Sequence, residues 1–398
     1  MTSTRKTIEP NLPAAPIRGY IEGYYGRLLT WQDRDRIIER MAGLGLNAYL
    51  YAPKEDPCHR VDWRSPWPDE WLHGFTALCN AATTRGVMVF AGIAPGLDYD
   101  AQRDSAEVDM LMTKARALQT AGAAAIVLMF DDIEPPPPTL DSALSDEVAL
   151  HAGIATRLAA QLDVPTLIVP RIYADEISDA APDSYRALTA AIPADMAVFH
   201  CGSHIVAGAS PLAPQSTPAG HIFGQRLILW DNVYCNDYCP RRLFLGPHTG
   251  RAETGDLMLN GTGMIETDLL LMDIMAAGDD EAAWRGALAK TGVPDDFHRL
   301  VAWFDTPVTG DRIPAPPPPP DDSTFAAIET MLWRWKTPLA REWYPFLFGL
   351  KHDLLIASGK LPELRIAKTQ TAALHEKLAS AQTGNDSVGY EGSRDNEG

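Results

Sequence analysis

The sequence predicts an α/β fold, a (β/α)8 TIM barrel followed by a C-terminal helical appendage, and three observations support this prediction. Short apolar runs alternate with segments of helical period from residue 17 to about residue 278. Eight such runs occur, and strands of a parallel sheet covered by helices are nearly continuously apolar. Most runs end in polar side chains, as barrel strands do where they carry an active site. A doubly wound open sheet is the less favoured alternative.

The eight predicted strands are short and rich in β-branched or large aliphatic residues. They comprise residues 17–21, 47–52, 87–91, 124–130, 166–169, 196–201, 226–230 and 256–260. Apolar residues spaced three or four apart predict helices between several of them. These helices comprise residues 33–44, 70–85, 105–121, 142–161 and 266–276. The other connections are interpreted as helices or long loops.

The fourth predicted strand is the element around which the chain is organised, because its apolar run ends in two adjacent carboxylates, Asp131 and Asp132. A closed parallel barrel brings all its strand ends to one rim. We therefore expect the polar residues that end the strands to share one pocket. They are Glu22, Lys54, Asp98, Asp131, Asp132, Tyr173, Cys201, Asn232, Asp237 and Asn260.

The predicted domain organisation has four parts: a flexible lead-in over residues 1–14, a catalytic barrel over 15–278, a helical region over 279–382 and a disordered tail over 383–398. Within the helical region, the pattern predicts four helices and a proline-rich linker. They comprise residues 282–290, 296–304, 323–358 and 362–382, with the linker at 314–320. An aromatic cluster there is interpreted as core or as a subunit contact: Trp333, Trp335, Trp343, Tyr344, Phe346 and Phe348.

Composition restricts the possible partners. The 398 residues include 34 Lys and Arg but 52 Asp and Glu, giving a net charge of −18. This charge argues against nucleic acid, an anionic membrane surface or a polyanionic substrate. The first residues lack an apolar core typical of a secretion signal, and no apolar stretch is long enough for a membrane span. Five cysteines without dense spacing indicate free thiols, so we expect a cytoplasmic protein. We also expect no cofactor.

Seven short motifs in one order resemble glycoside hydrolase family 84, the O-GlcNAcases and related β-N-acetylglucosaminidases. They are IEGYYGR (21–27), LNAYLYAPK (46–54), PGLD (95–98), FDDI (130–133), WDN (230–232), NDY (236–238) and RLFLGP (242–247). The resemblance is strong over the barrel and weak beyond it.

The resemblance implies removal of terminal β-linked N-acetylglucosamine with retention, through an oxazoline intermediate formed by the substrate's own acetamido oxygen. Such substrate-assisted enzymes need no enzymic nucleophile. Carried over by position, Asp131 would accept a hydrogen bond from the acetamido N–H, and Asp132 would protonate the leaving oxygen and then activate water. This division requires Asp132 to hold a proton while Asp131 is ionised. Without the resemblance, a helix cap or a solvated turn is the more common explanation of an Asp-Asp pair.

The resemblance also implies sugar-binding residues at other strand ends. Gly23 would let the backbone approach the sugar hydroxyls, since it has no Cβ. Lys54 would donate near O3. Tyr173 would contact the acetamido group, and Trp230 would form a wall around its methyl group.

Further residues on the later strands would complete the pocket. Asn232 would contact the intermediate, Asp237 would bind O4 and O6, and Asn260 would bind another hydroxyl. Cys201 stands where the family usually has a threonine, and Val206 would be a wall of the acetamido pocket. Leu28-Leu29 replaces the usual Pro-Trp, so the preferred leaving group is open. Taken singly, Lys54 could be a surface residue, Trp230 core and Asn260 a turn former.

Other functions remain open from the residues alone. The chain could be a hyaluronidase-like glycosaminoglycan hydrolase or an inactive GlcNAc-binding barrel. A metal-dependent hydrolase could use His200, His204 or His248, and Cys235 with Cys239 could hold zinc, although neither set has a typical ligand spacing. The expected partners are β-GlcNAc glycosides or an O-GlcNAc-modified protein, with a possible homodimer through the C-terminal helices.

Overall fold

Eight parallel strands form a closed barrel in the order of the chain, and the last strand pairs with the first. The computed structural model describes residues 12, 16–133, 142–178, 184–206, 208, 218–251, 255–307 and 316–360. The strands are β1 (Arg18–Glu22), β2 (Ala48–Tyr51), β3 (Met88–Ile93), β4 (Ala125–Met129), β5 (Thr166–Val169), β6 (Val198–His200), β7 (Leu227–Asp231) and β8 (Asp256–Asn260). The predicted (β/α)8 fold is confirmed.

Helices follow most strands and cover the outside of the barrel. They are α1 (Trp31–Gly43), α2 (Asp69–Thr84), α3 (Asp104–Thr120), α4 (Ser142–Ala159), α5 (Asp175–Ser178), α6 (Ser184–Ala191), α7 (Pro218–Phe223) and α8 (Ile265–Ala277). The first, α1, begins two residues before its predicted start because Thr30 and Asp33 cap its N-terminus reciprocally. Helices α5 to α7 are short, and the spacing of apolar residues had not predicted them as separate helices.

Strand side chains alternate between two apolar layers. Ile21 and Leu50 belong to a cluster of strand residues inside the barrel. Tyr20 and Tyr49, one residue earlier on the same strands, belong to the layer between the barrel and its helices. Both faces of each strand are therefore buried, which explains the continuous apolar runs. Burial of each large side chain contributes about 1.5–3 kcal/mol.

Three C-terminal helices follow the barrel: α9 (Glu281–Lys290), α10 (Asp322–Trp333) and α11 (Pro338–Ala357). Helices α9 and α11 contact α8, and α10 packs against α11. The carboxylate of Glu342 accepts hydrogen bonds from the backbone N–H groups of Glu266 and Thr267, which have no partner within α8. Nε1 of Trp343 donates to the Thr267 hydroxyl at 3.1 Å. A charge-assisted cap and a buried aromatic side chain thus hold this region on the barrel.

Two helix predictions in this region were correct only in part. Residues 296–304 form two short 3-10 turns, Asp295–Arg299 and Val301–Trp303, instead of an α-helix. The predicted helix 323–358 is divided into α10 and α11, since Pro338 disfavours helical geometry at the preceding Thr337, which caps α11 through its side chain.

Other predictions for the ends of the chain are not tested. Residues 316–320 have no regular structure. The predicted helix 362–382, the tail 383–398, most of the lead-in and the rest of the linker lie outside the described residues. The division of the chain at residue 278 stays a prediction.

The C-terminal aromatic cluster is only partly core. Trp335, Trp343 and Phe346 are buried, whereas the other three aromatic side chains are exposed. The exposed ones are Trp333, Tyr344 and Phe348. Among the helices described, none is long and apolar enough to cross a lipid bilayer.

Candidate active site

A cavity of about 490 Å³ opens at the carboxyl ends of the strands. This volume is in the usual range for a small-molecule site. The structure brings all eleven candidate residues to its wall: Gly23, Lys54, Asp131, Asp132, Tyr173, Cys201, Val206, Trp230, Asn232, Asp237 and Asn260. Their individual roles stay predictions.

Asp131 is held at the buried end of this cavity by an ion pair with Lys54. Oδ2 of Asp131 accepts from Nζ of Lys54, and both side chains are at most 9% exposed. The other carboxylate oxygen, Oδ1, is buried and has no hydrogen-bond partner among the described residues. An unpaired buried acceptor costs about 1–3 kcal/mol. Asp131 therefore presents a fixed acceptor that a donor on a bound molecule could satisfy.

Asp132 lies beside it but is exposed, and two tyrosines contact its carboxylate. Tyr173 Oη donates to Oδ1 at 2.6 Å, and Tyr25 Oη donates to Oδ2 at 2.9 Å. Burial, followed by the negative charge of Asp132, raises the pKa of both tyrosines, so both hydroxyls keep their protons. These contacts fit the carboxylate form of Asp132. When Asp132 carries a proton, one of the two tyrosine hydroxyls can rotate and accept a hydrogen bond from the carboxylic acid.

A chain of amide hydrogen bonds crosses the opposite wall. The Gly23 N–H donates to Asn260 Oδ1 at 3.1 Å, and Asn260 Nδ2 donates to Asn232 Oδ1 at 3.0 Å. Trp230 Nε1 donates to the same Asn232 oxygen at 2.9 Å, and Asn232 Nδ2 donates to the Ile205 carbonyl at 2.8 Å. Each amide orientation is therefore fixed by its neighbours.

Apolar side chains form one part of the cavity, which we call the apolar chamber. It is lined by Val169, Phe199, Cys201, Ile205, Val206 and Trp230. Burial and the nearby Asp131 carboxylate raise the pKa of the Cys201 thiol well above its usual range. The thiol is thus neutral and behaves as a small apolar group. The sequence interpretation missed Val169, Phe199 and Ile205, because ordinary strand and loop residues give no separate signal.

Asp237 lies at the mouth of the cavity with its carboxylate oriented by two backbone N–H groups. Oδ2 accepts from Tyr25 at 2.9 Å and Oδ1 accepts from Tyr238 at 2.8 Å. Tyr25 and Tyr238 also line the cavity and were missed as site residues. Both lie inside motifs singled out in the sequence, but nothing in those motifs identified their partners.

Two strand-end carboxylates expected in the shared pocket lie outside it. Glu22 is fully buried behind β1, where it pairs with Arg34 through two 2.8 Å hydrogen bonds and accepts from the Tyr49 hydroxyl. Since Ile21 points into the barrel, the next side chain must point towards the helices. Asp98 instead accepts from Trp63 Nε1 at 2.8 Å and pairs with an arginine in the β2–α2 loop.

The histidines of the metal hypothesis have hydrogen-bond partners in the protein, and for His204 Nδ1 the partner is the neighbouring Ser203 hydroxyl at 3.0 Å. His200 reaches the cavity wall, but its Nδ1 accepts from the Gly202 N–H, and its Nε2 contacts Tyr185 Oη at 2.7 Å. Burial lowers the pKa of His200 to about 3, so the ring is neutral. His248 is hydrogen-bonded to Asp231. Within the described ranges, no three His, Cys, Asp or Glu side chains are grouped for a metal ion.

Gly23→Ala is expected to lower kcat/KM by about 100-fold, mainly through misplaced substrate. A Cβ at this position would lie 2.4 Å from Cζ2 of Trp230 and 2.9 Å from Cγ2 of Ile21. The indole ring must therefore move, which disrupts its hydrogen bond to Asn232. Steady-state kinetics with one aryl β-N-acetylglucosaminide, the substrate class that the sequence motifs imply, checks the expectation. Gly153→Ala in α4, where a Cβ meets nothing within 4 Å, is the matched control and should keep full activity. Equal kinetics of the two variants would contradict this reasoning.

Paired aspartates that enter a sugar-sized cavity of a (β/α)8 barrel are typical of glycoside hydrolases. A family model described as beta-N-acetylglucosaminidase matches residues 18–264. The chain belongs to this family, glycoside hydrolase family 84, as the motifs implied.

The chain is also similar to individual proteins from mammals and from a bacterium. It is 30% identical over 241 residues to the protein O-GlcNAcases of Rattus norvegicus and Mus musculus. The match covers 59% of this chain and only 26% of each mammalian protein. A mutant of the Thermobaculum terrenum O-GlcNAc hydrolase has the same fold, with a TM-score of 0.68 and 20% identity over 94% of this chain and 90% of that one.

Proposed function

We propose that the chain is a retaining exo-β-N-acetylglucosaminidase, similar to an O-GlcNAcase, that acts by substrate-assisted catalysis through an oxazoline intermediate. The observation that best supports this proposal is the position of Asp131. Its oxygen Oδ1 is a buried acceptor without a partner among the described residues, and Lys54 holds its other oxygen. This arrangement suits an N–H donor of an acetamido group.

In the proposed reaction, the acetamido N–H donates to Asp131 and its methyl group occupies the apolar chamber. The acetamido oxygen is then directed at the anomeric carbon and displaces the leaving group, while Asp132 donates a proton to the departing oxygen. The ring formed is an N-protonated oxazoline, whose positive charge the Asp131 carboxylate stabilises. Asp132 then takes a proton from water, which attacks the anomeric carbon. The bond from that carbon to the oxazoline oxygen breaks, and the acetamido group is restored. Two inversions at that carbon give net retention.

The remaining polar groups would fix the sugar hydroxyls. Asp237 would bind O4 and O6, Asn260 another hydroxyl, and Lys54 the region of O3 while remaining paired with Asp131. Asn232 would contact the intermediate. Binding of this kind places the reacting oxygen near the anomeric carbon, which is where positioning contributes most to the rate.

The acyl group provides a direct test of the mechanism. Aryl β-glucosaminides with an N-trifluoroacetyl group should react with kcat/KM at least about 100-fold below that of the N-acetyl compounds, because fluorine withdraws charge from the attacking oxygen. The first sugar product should be the β anomer by NMR. Equal rates for both acyl groups would exclude acyl participation. Binding of N-acetylglucosamine without turnover would instead identify a sugar-binding barrel.

The substrate, location and assembly are further parts of this proposal. Expected substrates are β-GlcNAc glycosides or O-GlcNAc-modified proteins, because a net charge of −18 disfavours a polyanion such as a glycosaminoglycan. The cysteines are all free thiols, as expected in the cytoplasm. The rings of Tyr344 and Phe348 stack at 5.6 Å on the exposed side of α11 and support a homodimer contact there.

A further inference from the structure

The turn that carries Asp132 has an unusual backbone conformation. Among the described residues, Asp132 alone has a positive φ, 51°, without being glycine. An L-residue in this left-handed region is disfavoured, because its Cβ crowds the following carbonyl oxygen. Such a conformation persists only where neighbouring groups hold it.

Two arginines from neighbouring loops hold the carbonyl groups of this turn. Arg60, in the loop between β2 and α2, donates from Nη2 to the carbonyl oxygen of Asp132 at 2.7 Å. Arg171, just after β5, donates from Nη1 to the carbonyl oxygen of Ile133. Both arginines are at most 7% exposed, so water competes little for these hydrogen bonds.

The side chain of Ile133 fixes the turn from a third direction. It packs against Gly96 in the loop after β3, where a Cβ would come within 2.5 Å of Ile133 Cδ1. Three loops, after β2, β3 and β5, thus converge on two consecutive residues. The resulting orientation places the Asp132 carboxylate between the Tyr25 and Tyr173 hydroxyls, at the cavity wall.

Neither arginine lines the cavity, so neither is placed to touch a bound sugar. We propose that Arg60 and Arg171 are positioning residues that hold the turn in its left-handed conformation, so that the Asp132 carboxylate faces the oxygen of the leaving group. Without the hydrogen bond from Arg60, the peptide can rotate to a negative φ and the carboxylate turns away. This inference rests on the proposed function of Asp132 as the acid.

The test is the dependence of kcat/KM on the leaving group for Arg60→Met, measured with aryl β-N-acetylglucosaminides whose phenols span a wide range of acidity. Loss of acid positioning should lower kcat/KM for the least acidic phenol by about 10- to 100-fold, part of the usual effect of a general acid. The most acidic phenol needs little protonation and should change by less than about threefold. Arg60→Lys, which keeps a donor, should restore part of the loss, and Arg171→Met should show the same pattern.

Arg64→Met is the matched control. Arg64 lies in the same loop but pairs with Asp98 and Glu107, and among the described residues its hydrogen bonds go to these two and not to the turn. Its removal should leave the dependence on the leaving group unchanged. All substrates are compared on one preparation, so a partly misfolded sample lowers every rate equally and leaves the dependence intact.

A double-mutant cycle separates action through Asp132 from a general structural role. In an Asp132→Asn background, Arg60→Met should have almost no further effect on the least acidic phenol, because the group that it positions is gone. Additive losses, or an equal loss with every substrate, would overturn the inference while leaving the proposed function standing. An inactive wild type with all substrates would instead defeat the proposed function itself.

Discussion

Asp131→Asn is expected to lower kcat/KM by about 1,000-fold with every aryl β-N-acetylglucosaminide, whatever its leaving group. The substitution removes the negative charge that would stabilise the oxazoline and leaves the Lys54 ammonium buried without its counter-ion. Both effects act on the transition state in which the acetamido oxygen attacks. That step occurs with good and poor leaving groups alike.

Asp132→Asn should give the contrasting result. With a poor leaving group, loss of the proton donor should reduce kcat/KM by about 100- to 10,000-fold. With a good leaving group, kcat/KM should fall by less than about tenfold, because such a phenolate departs without a proton. Hydrolysis of the oxazoline then limits kcat, since no base activates water. Added azide should therefore raise kcat and give a β-glycosyl azide.

The measurement is steady-state kinetics of wild type and both variants with one good and one poor leaving group. Asp98→Asn is the matched control, since it makes the same chemical change at a strand end whose side chain lies outside the cavity. It should retain activity within about threefold. If Asp131→Asn spared the good leaving group and Asp132→Asn did not, the two proposed roles would have to be exchanged.

The apolar strand β4 and the carboxylates after it made the fold and the central pair predictable from sequence. A strand with both faces buried must be apolar throughout, and its end is the first position where a charge can face the cavity. The division between α10 and α11 was predictable too, because Thr337-Pro338 is a local stop signal.

Other parts of the site could not be read from the sequence, because they depend on side-chain direction and distant partners. Glu22 and Gly23 are adjacent, yet one faces α1 and the other the cavity. Successive side chains of a strand point to opposite faces, so an error of one residue in the strand limits reverses the assignment. Strand limits are not predicted from sequence that closely. Tyr25 contacts Asp132 across 107 positions of the chain. Arg60 likewise contacts the Asp132 carbonyl only because the fold brings the loops after β2 and β4 together.

Acid is expected to destabilise the fold steeply, because three of the buried histidines have a strongly lowered pKa and are neutral. They are His59, His151 and His200. Burial lowers the pKa of each to about 3, from 6.5 in an exposed state. Between these two values the unfolded chain binds protons that the folded chain excludes. The contribution of these neutral histidines to the free energy of unfolding is therefore fully present above about pH 6.5 and is lost as the pH drops towards 3.

Each histidine should contribute a slope on the order of 1.4 kcal/mol per pH unit within that window. Urea unfolding followed by tryptophan fluorescence at several values between about pH 7 and pH 5 measures the total slope. Carboxylates also contribute to it, so a substitution is needed to identify the share of one histidine. His151 is the most suitable, because it packs by flat stacking on Phe130, with centroids 3.8 Å apart, and lies outside the cavity.

His151→Met fills similar space without a titrating group. It should lose some stability near pH 7, where the stacking contact matters, and should become relatively more stable than wild type as the pH falls. The two curves of unfolding free energy against pH are expected to differ in slope by on the order of 1.4 kcal/mol per pH unit below about pH 6. Leu150→Met, at the neighbouring position on α4, removes no titrating group, so it is the control and should run parallel to wild type. If the His151 variant also ran parallel, the ring would have to be charged in the folded protein, and Glu147, at 4.0 Å from Nε2, would be the group that stabilises that charge.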